Sequence, residues 1–179
     1  MVAVFLADGF EEVEALAPVD ILRRAGVEVC TVGVGKKTIT GSHGVPVVCD
    51  LLDADLELDH IEMMVLPGGM PGAANLEACP VVQGLMEHCA AYGKWIGAIC
   101  AAPFVLGHAG LLRGKNATCY PGYEKELKGA KCSGALVERD GRIITGKGPG
   151  AALEFGFALA EALRGAATAA KLREAMQCR

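Results

Sequence analysis

One cysteine stands where a protein fold can make a thiol reactive. Cys100 follows the apolar run over residues 95–99 and directly precedes residues 101–106, which have helical character. A cysteine at such a strand-to-helix turn lies at the edge of a sheet, beside helix N–H groups that have no intrahelical partner. Because these groups and the helix macrodipole favour thiolate over thiol, we predict a nucleophilic Cys100 with a lowered pKa, and an enzyme. The alternative is a small buried apolar residue.

A carboxyl group on the first predicted helix could act on the same sulfur. Glu11, Glu12 and Glu14 occupy the first turn of that helix, where carboxylates complement the helix dipole. We expect Glu11 and Glu12 to face solvent. Glu14 has apolar neighbours, among them Val13 and Leu16, and we expect it to face the sheet edge. Burial there would raise its pKa, keep it protonated and let it donate to a thiolate.

A glycine pair follows another buried strand, predicted over residues 63–66. Gly68 and Gly69 have no Cβ, so the backbone can approach a ligand closely and its N–H groups could hold an oxyanion. No Gly-Lys-Ser/Thr follows this pair, and the chain contains no G-x-G-x-x-G. The glycine-rich run over residues 146–150 also lacks nucleotide-binding spacing. We therefore do not expect a phosphate loop.

The histidines separate the candidate mechanisms. The four histidines are His43, His60, His88 and His108, and none occurs in the last 71 residues. A Cys-His-Glu amidotransferase on such a sheet needs a histidine late in the chain, so that reaction is excluded. We interpret His60, His88 and His108 as surface or packing residues, and His43, in a glycine-flanked turn, as a candidate neighbour of the site. No Cys/His pair has metal-ligand spacing, so we expect no metal.

Length, charge and cysteine usage limit the class of protein. The chain has 179 residues and a net charge of −4, which predicts one domain over 1–179 and gives no basic surface for nucleic acid. We find no membrane-spanning or signal segment. Eight cysteines without a C-x-x-C are best explained as free thiols in a reducing cytoplasm. Cys119 ends a predicted strand that could neighbour Cys100, which makes it a candidate redox partner.

The order of apolar runs predicts strands that alternate with helices. Alternation of this kind, with β-branched strands, is typical of an α/β fold whose parallel sheet is covered on both faces. In such sheets the site lies at the carboxyl ends of the strands. The predicted strands cover 2–7, 28–34, one or two segments within 38–50, 63–66, 95–99, 117–119 and a hairpin of 135–138 with 142–145 across residues 139–141, and the predicted helices cover 10–25, 80–92, 102–111, 151–164 and a last one from 167.

Five segments in order carry a resemblance to a known family. They are DGFEEVE (8–14), PVDILRRAG (18–26), LPGGMPGA (66–73), AICAAP (98–103) and GPGAALEF (148–155). Together they resemble the DJ-1/ThiJ/PfpI superfamily, in its parkinsonism-associated deglycase branch. The resemblance implies a flavodoxin-like three-layer sandwich with a mainly parallel sheet, a nucleophile elbow at Cys100, and a homodimer. It also implies that Glu14 is the protonated partner of the sulfur.

The same resemblance implies a reaction. It places the oxyanion site at the backbone N–H groups of Gly69 and Ala101, requires no cofactor, and names small 2-oxoaldehydes such as methylglyoxal and glyoxal, or their early protein and nucleotide adducts, as substrates. The product would be a 2-hydroxy acid. Tyr120 stands where the family often has a histidine, and tyrosine is a poor base near neutral pH, which puts any histidine-assisted step in question. Ala101 replaces the histidine of the protease-like branch and disfavours protease activity.

Three other functions remain open from the sequence. The first is an oxidative-stress sensor or chaperone, in which Cys100 is oxidised to a sulfinate that Glu14 stabilises. This function uses the same two residues as the glyoxalase, so the sequence does not separate them. The second is a role in thiazole phosphate biosynthesis, which no phosphate-binding loop in the chain supports. The last is a family member that has lost catalysis and only dimerises.

Overall fold

The computed structural model describes residues 1–178, and its largest feature is a seven-stranded sheet. The strands are β1 (Val2–Leu6), β2 (Val29–Gly33), β3 (Thr38–Thr40), β4 (Pro46–Val48), β5 (Leu51–Leu52), β6 (Met63–Leu66), β7 (Trp95–Ile99), β8 (Asn116–Ala117), β9 (Lys131–Cys132), β10 (Val137–Asp140) and β11 (Ile143–Gly146). The α-helices are α1 (Glu12–Arg24), α2 (Gly72–Ala78), α3 (Pro80–Ala91), α4 (Pro103–His108), α5 (Ala152–Arg164) and α6 (Ala166–Ala175).

The strand order confirms the predicted α/β class. The sheet runs β10-β11-β7-β6-β1-β2-β5, and every neighbouring pair is parallel except β10 with β11, which forms an antiparallel hairpin at the edge. Two small pairs, β3 with β4 and β8 with β9, lie outside this sheet. Within residues 1–178, no helix combines the length and apolar character that crossing a bilayer requires.

Alternate residues of the central strand serve two separate cores. Val2, Val4 and Leu6 pack into one core with the buried faces of α1 and α5, whereas Ala3 and Phe5 pack into the other with α2, α3 and α4. All five residues are buried, as expected for a parallel strand with a helical layer on each face. The sheet therefore forms the middle of a three-layer sandwich, as the sequence predicted.

The predicted elements are found within a few residues of their bounds, with three omissions. α2 has no side-chain cap and lies directly after a glycine- and proline-rich loop, so its helical character is hidden. β5 and β9 have two residues each, too few to show a period. The predicted hairpin turn over 139–141 is also displaced, because Asp140 pairs with Ile143 and only residues 141–142 connect the two strands.

The strand order also locates a crevice. The chain proceeds from β1 to β2 on one side of β1 and later returns to β6 on the other side. This reversal opens a crevice at the carboxyl ends of the strands, which is where open α/β sheets bind their ligands. The segments that leave these ends carry Glu14 after β1, Gly68 after β6 and Cys100 after β7.

The core under α5 should tolerate truncation poorly. Leu159 is fully buried in this core, so Leu159→Ala removes apolar contacts and leaves a cavity. We expect a loss of about 2–5 kcal/mol in the free energy of unfolding, measured by urea denaturation. Lys171→Ala, at an exposed position of α6, serves as the control and should change the same quantity by less than about 0.5 kcal/mol. Equal effects of the two substitutions would contradict this description of the core.

Candidate active site

Cys100 lies on a strained backbone turn between β7 and α4. Its φ is +65°, a left-handed conformation that residues other than glycine rarely adopt. Two backbone hydrogen bonds hold it there: the Cys100 N–H donates to the carbonyl of Gly146 at 2.9 Å, and the Tyr120 N–H donates to the carbonyl of Cys100 at 2.8 Å. Strain of this kind persists only where the surroundings fix it, and it is concentrated at functional sites. Cys100 remains 9% exposed.

Glu14 lies beside Cys100, and Gly68 contacts both. A methyl group on Gly68 would lie 2.6 Å from Cys100 Cβ and 2.6 Å from Glu14 Oε2, so only glycine fits between the two side chains. Glu14 is completely buried, and the Gly68 N–H donates to its Oε2 at 2.9 Å. The other oxygen, Oε1, has no hydrogen-bond partner of good geometry among residues 1–178. The structure thus brings together the thiol, the carboxyl and the glycine loop that the sequence singled out.

Burial dominates the ionisation of Glu14. It raises the pKa of this carboxyl from the ordinary 4.5 to about 7, and the nearby charge of Glu11 acts in the same direction. Hydrogen bonding to Cys100 and to the Gly68 N–H opposes the increase without cancelling it. A carboxyl with this pKa is about half protonated near neutral pH and largely protonated below it. The predicted elevation of the Glu14 pKa is therefore found.

Only one of the two reasons for expecting Glu14 in the interior is wrong. Its sequence neighbours Val13 and Leu16, offered as its apolar surroundings, are themselves 43% and 37% exposed. Glu14 is buried because its own face of α1 turns towards the loop that contains Gly68. Those two apolar side chains instead lie on the outer face of the helix.

The predicted lowering of the Cys100 pKa is wrong as stated. Burial, the charge of Glu14 and a hydrogen bond to that carboxylate raise the pKa of the thiol to about 12, against the opposing N–H groups of Ala101 and Gly69. Two of these three causes require an ionised Glu14. When Glu14 holds the proton, its charge no longer raises the pKa of the thiol, and it donates a hydrogen bond to the sulfur that lowers this pKa. The pair therefore carries one negative charge, which the sulfur can hold only while Glu14 is protonated.

A second polar cluster surrounds the first turn of α1 and corrects another expectation. Glu11 and Glu12 do not face open solvent: their side chains are 18% and 13% exposed and contact the turn that contains Ser42 and His43. The His43 N–H donates to Glu12 Oε1 at 2.8 Å, and His43 Nδ1 lies 3.0 Å from Glu12 Oε2. Burial acts to raise the pKa of Glu12, but these hydrogen bonds outweigh it and lower the pKa to about 2.

This cluster was not visible in the sequence as a set of potential metal ligands. One ligand atom each from Glu11, Glu12 and His43 lie within 4.8 Å of one another, although 31 residues separate Glu12 from His43. The atoms already hydrogen-bond within the cluster and to Ser42. His43 therefore neighbours the helix that carries Glu14, and its hydrogen bonds go to Glu12 and Ser42.

Tyr120 and Cys119 belong to the segment whose backbone contacts the elbow at Cys100. Tyr120 is 47% exposed and, with Leu136 and Pro149, lines a mostly apolar hollow of about 190 Å³. Its backbone contact with Cys100 places this hollow next to the elbow. Cys119 is buried, and burial raises the pKa of its thiol, with a further contribution from the nearby Glu124. Its candidate role as a redox partner of Cys100 stays a prediction.

The fold and this site define a class of protein that sequence comparison identifies independently. The model of the DJ-1/PfpI family matches residues 1–162, and the chain belongs to this family. A crystal structure of a DJ-1 superfamily protein from Salmonella typhimurium superimposes with a TM-score of 0.94 at 35% identity, covering 99% of this chain and 98% of that one.

Three curated relatives are similar over most of their length. The Parkinson disease protein 7 homolog of Danio rerio is 37% identical, covering 95% of this chain and 93% of that protein. A glutathione-independent glyoxalase of Caenorhabditis elegans is 33% identical, covering 87% and 83%. A deglycase of Pyrococcus abyssi is 34% identical, covering 83% and 90%. Against the Arabidopsis thaliana DJ-1 homologs A and B, at 38% and 37% identity, the chain spans only 43% and 38% of their length.

Replacing Glu14 by glutamine should stabilise the protein at neutral and higher pH. Because the folded-state pKa of about 7 lies above the ordinary 4.5, the stabilising contribution of protonated Glu14 is complete below pH 4.5 and is lost as the pH rises to 7. At about 1.4 kcal/mol for each pH unit, this loss is about 3 kcal/mol, and Glu14→Gln avoids it. Urea denaturation at several pH values measures the difference between variant and wild type. A difference that does not change between about pH 4.5 and 7 would contradict the assigned pKa.

Proposed function

We propose that this protein is a cofactor-independent glyoxalase or deglycase that acts on 2-oxoaldehydes, such as methylglyoxal and glyoxal, or on their early protein and nucleotide adducts. The observation that carries the proposal is the buried pair of Cys100 and Glu14, brought together across Gly68. The nematode and archaeal relatives, a glyoxalase and a deglycase, support it.

The first step is attack of the Cys100 thiolate on the aldehyde carbon of the substrate. A carbon–sulfur bond forms, the carbonyl π bond breaks, and the oxygen becomes an alkoxide. The N–H groups of Gly69 and Ala101 face the sulfur and can stabilise the charge on this oxygen, because they are fixed donors in a largely buried site. Protonated Glu14 then supplies the proton that completes the hemithioacetal.

The second step moves a proton between adjacent carbons. Glu14, now a carboxylate, removes the proton from the former aldehyde carbon to give an enediolate; the hydroxyl proton of the hemithioacetal passes to the neighbouring oxygen, and Glu14 returns its proton to the neighbouring carbon. The product is a thioester of a 2-hydroxy acid, which water hydrolyses to the free acid and the Cys100 thiol. With methylglyoxal the acid is lactate. A pKa of about 7 suits Glu14 to this exchange, because it can give and take a proton at neutral pH.

The second candidate function is a cysteine-based sensor of oxidative stress, or a chaperone, without turnover. Protonated Glu14 and the two N–H groups could equally stabilise a Cys100 sulfinate. Incubation with methylglyoxal separates the two candidates. Lactate formation that requires Cys100 supports the glyoxalase, whereas no turnover with stoichiometric oxidation of Cys100 by peroxide supports the sensor.

We further propose a single domain over 1–179, a homodimer and a cytoplasmic location. The exposed apolar side chains of Val13 and Leu16 on α1 and of Leu153 on α5 support the dimer, because these two helices pack against each other. The free thiols of all eight cysteines suit a reducing compartment.

Charge placed on this apolar face should dissociate the dimer. Leu16→Glu would bury an unpaired carboxylate in the interface, so we expect a monomer by analytical ultracentrifugation where the wild type sediments as a dimer. Lys171→Glu, at an exposed position of α6, is the control and should leave the dimer intact. A dimeric Leu16→Glu variant would contradict the proposed interface.

Catalysis should depend on both members of the pair. Cys100→Ser should abolish lactate formation from methylglyoxal, and Glu14→Gln should lower kcat by about 10²–10⁴, the usual contribution of a placed acid or base. Cys132→Ser, which removes an exposed thiol, is the matched control and should retain full activity. Full activity in Glu14→Gln would show that another group moves the proton.

A further inference from the structure

His108, the last residue of α4, lies between two carboxylates from different elements. Its Nδ1 lies 2.6 Å from Glu77 Oε1, and its Nε2 lies 3.0 Å from Glu126 Oε2. Glu77 belongs to α2, and Glu126 ends a short 3-10 turn over Glu124–Glu126. The imidazole is about one-third exposed and its ring contacts Phe104 at 5.3 Å between centroids. One side chain thus links three separate segments.

The geometry requires a charged histidine. An ionised carboxylate only accepts hydrogen bonds, and a neutral imidazole has one N–H donor. A histidine that faces a carboxylate through each of its nitrogens makes both hydrogen bonds only as an imidazolium. Loss of its second proton leaves one nitrogen lone pair directed at a carboxylate oxygen. The arrangement is therefore complete in one protonation state and broken in the other.

Each of the three linked segments follows a loop that contributes to the candidate active site. α4 directly follows the elbow that contains Cys100, and α2 follows the loop that contains Gly68 and Gly69. The turn that contains Glu126 follows Tyr120, whose N–H donates to the Cys100 carbonyl. His108 itself lies behind this site, at the opposite end of α4 from the elbow.

The turn after Tyr120 packs tightly against α4. The rings of Phe104 and Tyr123 are stacked at 6.1 Å between centroids. A Cβ on Gly107 would lie 2.4 Å from the Glu126 carbonyl oxygen, so the turn can approach the helix only at glycine. The hydrogen bond between His108 and Glu126 therefore lies at the edge of a packed contact between α4 and this turn, and it is not an isolated surface pair.

We infer that His108, as an imidazolium, is a positioning residue that clamps α2, α4 and the turn after Tyr120 together behind Cys100, and that the clamp opens when His108 loses its charge. The inference concerns the geometry of the site, and it rests on the proposed function only in regarding that site as catalytic. It gives a role to a histidine that sequence reasoning assigned to the surface or to packing.

The charged groups around His108 define the direction of the pH dependence. Glu126 and Glu77 raise the pKa of His108 by accepting its hydrogen bonds, while burial and the charge of Lys128 oppose them. With a folded-state pKa above the ordinary value, the stabilisation is complete below the unfolded-state pKa of about 6.5 and is lost as the pH rises through the folded-state value. The clamp is closed below the unfolded-state pKa and opens as the pH rises through the higher folded-state pKa of His108.

The first test follows the protonation of His108 by NMR in the full-length protein. The His108 resonances are assigned by their absence in His108→Gln. They should show both ring nitrogens protonated at low pH and a titration midpoint above about pH 6.5. Glu77→Gln and Glu126→Gln should each lower that midpoint. A midpoint at or below 6.5, or no response to either substitution, would overturn the inference.

The second test asks whether the charge holds the site segments. His108→Arg keeps a permanent charge and a planar fork of donors, whereas His108→Gln has neither. The Tm of wild type should exceed that of His108→Gln by about 2–4 °C at pH 6. This difference should fall towards zero as the pH rises. The Tm of His108→Arg should exceed that of His108→Gln at every pH. Tm differences that do not change with pH would overturn the inference.

Amide hydrogen exchange locates the effect. In His108→Gln, exchange should accelerate together in α2, in the turn after Tyr120 and at the Tyr120 amide, and His108→Arg should restore protection in all three. Acceleration limited to α4 would show a purely local role and overturn the inference. These measurements need no turnover: a wild type without methylglyoxal activity would refute the proposed function and leave the clamp to be decided by NMR and exchange.

Discussion

The site depends on a single negative charge shared by two buried groups. Cys100 and Glu14 lie on either side of Gly68, and both are buried. Burial disfavours the charged form of both groups, and ionisation of one raises the pKa of the other. One proton and one negative charge are therefore distributed between the two groups, under the influence of a few fixed N–H donors. The chemistry follows from which of the two groups holds the proton.

Several parts of the fold serve this arrangement. The sheet reversal next to β1 brings the ends of three strands to one crevice, and the left-handed backbone of Cys100 directs its side chain into it. The glycine loop allows the close approach of thiol and carboxyl and provides the N–H donor that holds Glu14. On the outside, Glu12 with His43, and His108 with its two carboxylates, connect the loops around this crevice. The site is thus assembled from segments that are distant in the sequence.

The sequence predicted what local patterns encode. The apolar run before Cys100 and the helical character after it were sufficient to locate the elbow, and the alternation of strands and helices was sufficient for the fold class. α2 was missed because glycine and alanine after a proline-rich loop give no amphipathic period. The pairing of His108 with Glu77 and Glu126, 31 and 18 residues away, depends on tertiary packing that no spacing rule contains.

The ionisation of Cys100 shows the same limit most clearly. Local reasoning counted the helix N–H groups that favour a thiolate, and those groups do act on the sulfur. It could not weigh them against burial and against a carboxylate that arrives from a helix more than 80 positions earlier in the chain. The local effect has the predicted direction, but the net effect depends on the protonation of Glu14. A sequence motif for a reactive cysteine therefore identifies the residue without determining its charge.

Infrared difference spectroscopy tests the shared charge most directly. Infrared spectra of wild type minus Glu14→Gln report whether Glu14 is protonated. Ultraviolet thiolate absorbance that disappears in Cys100→Ser reports the charge of the sulfur. At about pH 8, above the Glu14 pKa of about 7, we expect an ionised carboxylate band without thiolate absorbance, because the pair carries one negative charge. Thiolate absorbance together with an ionised Glu14 at that pH would show two charges on the pair and contradict the account.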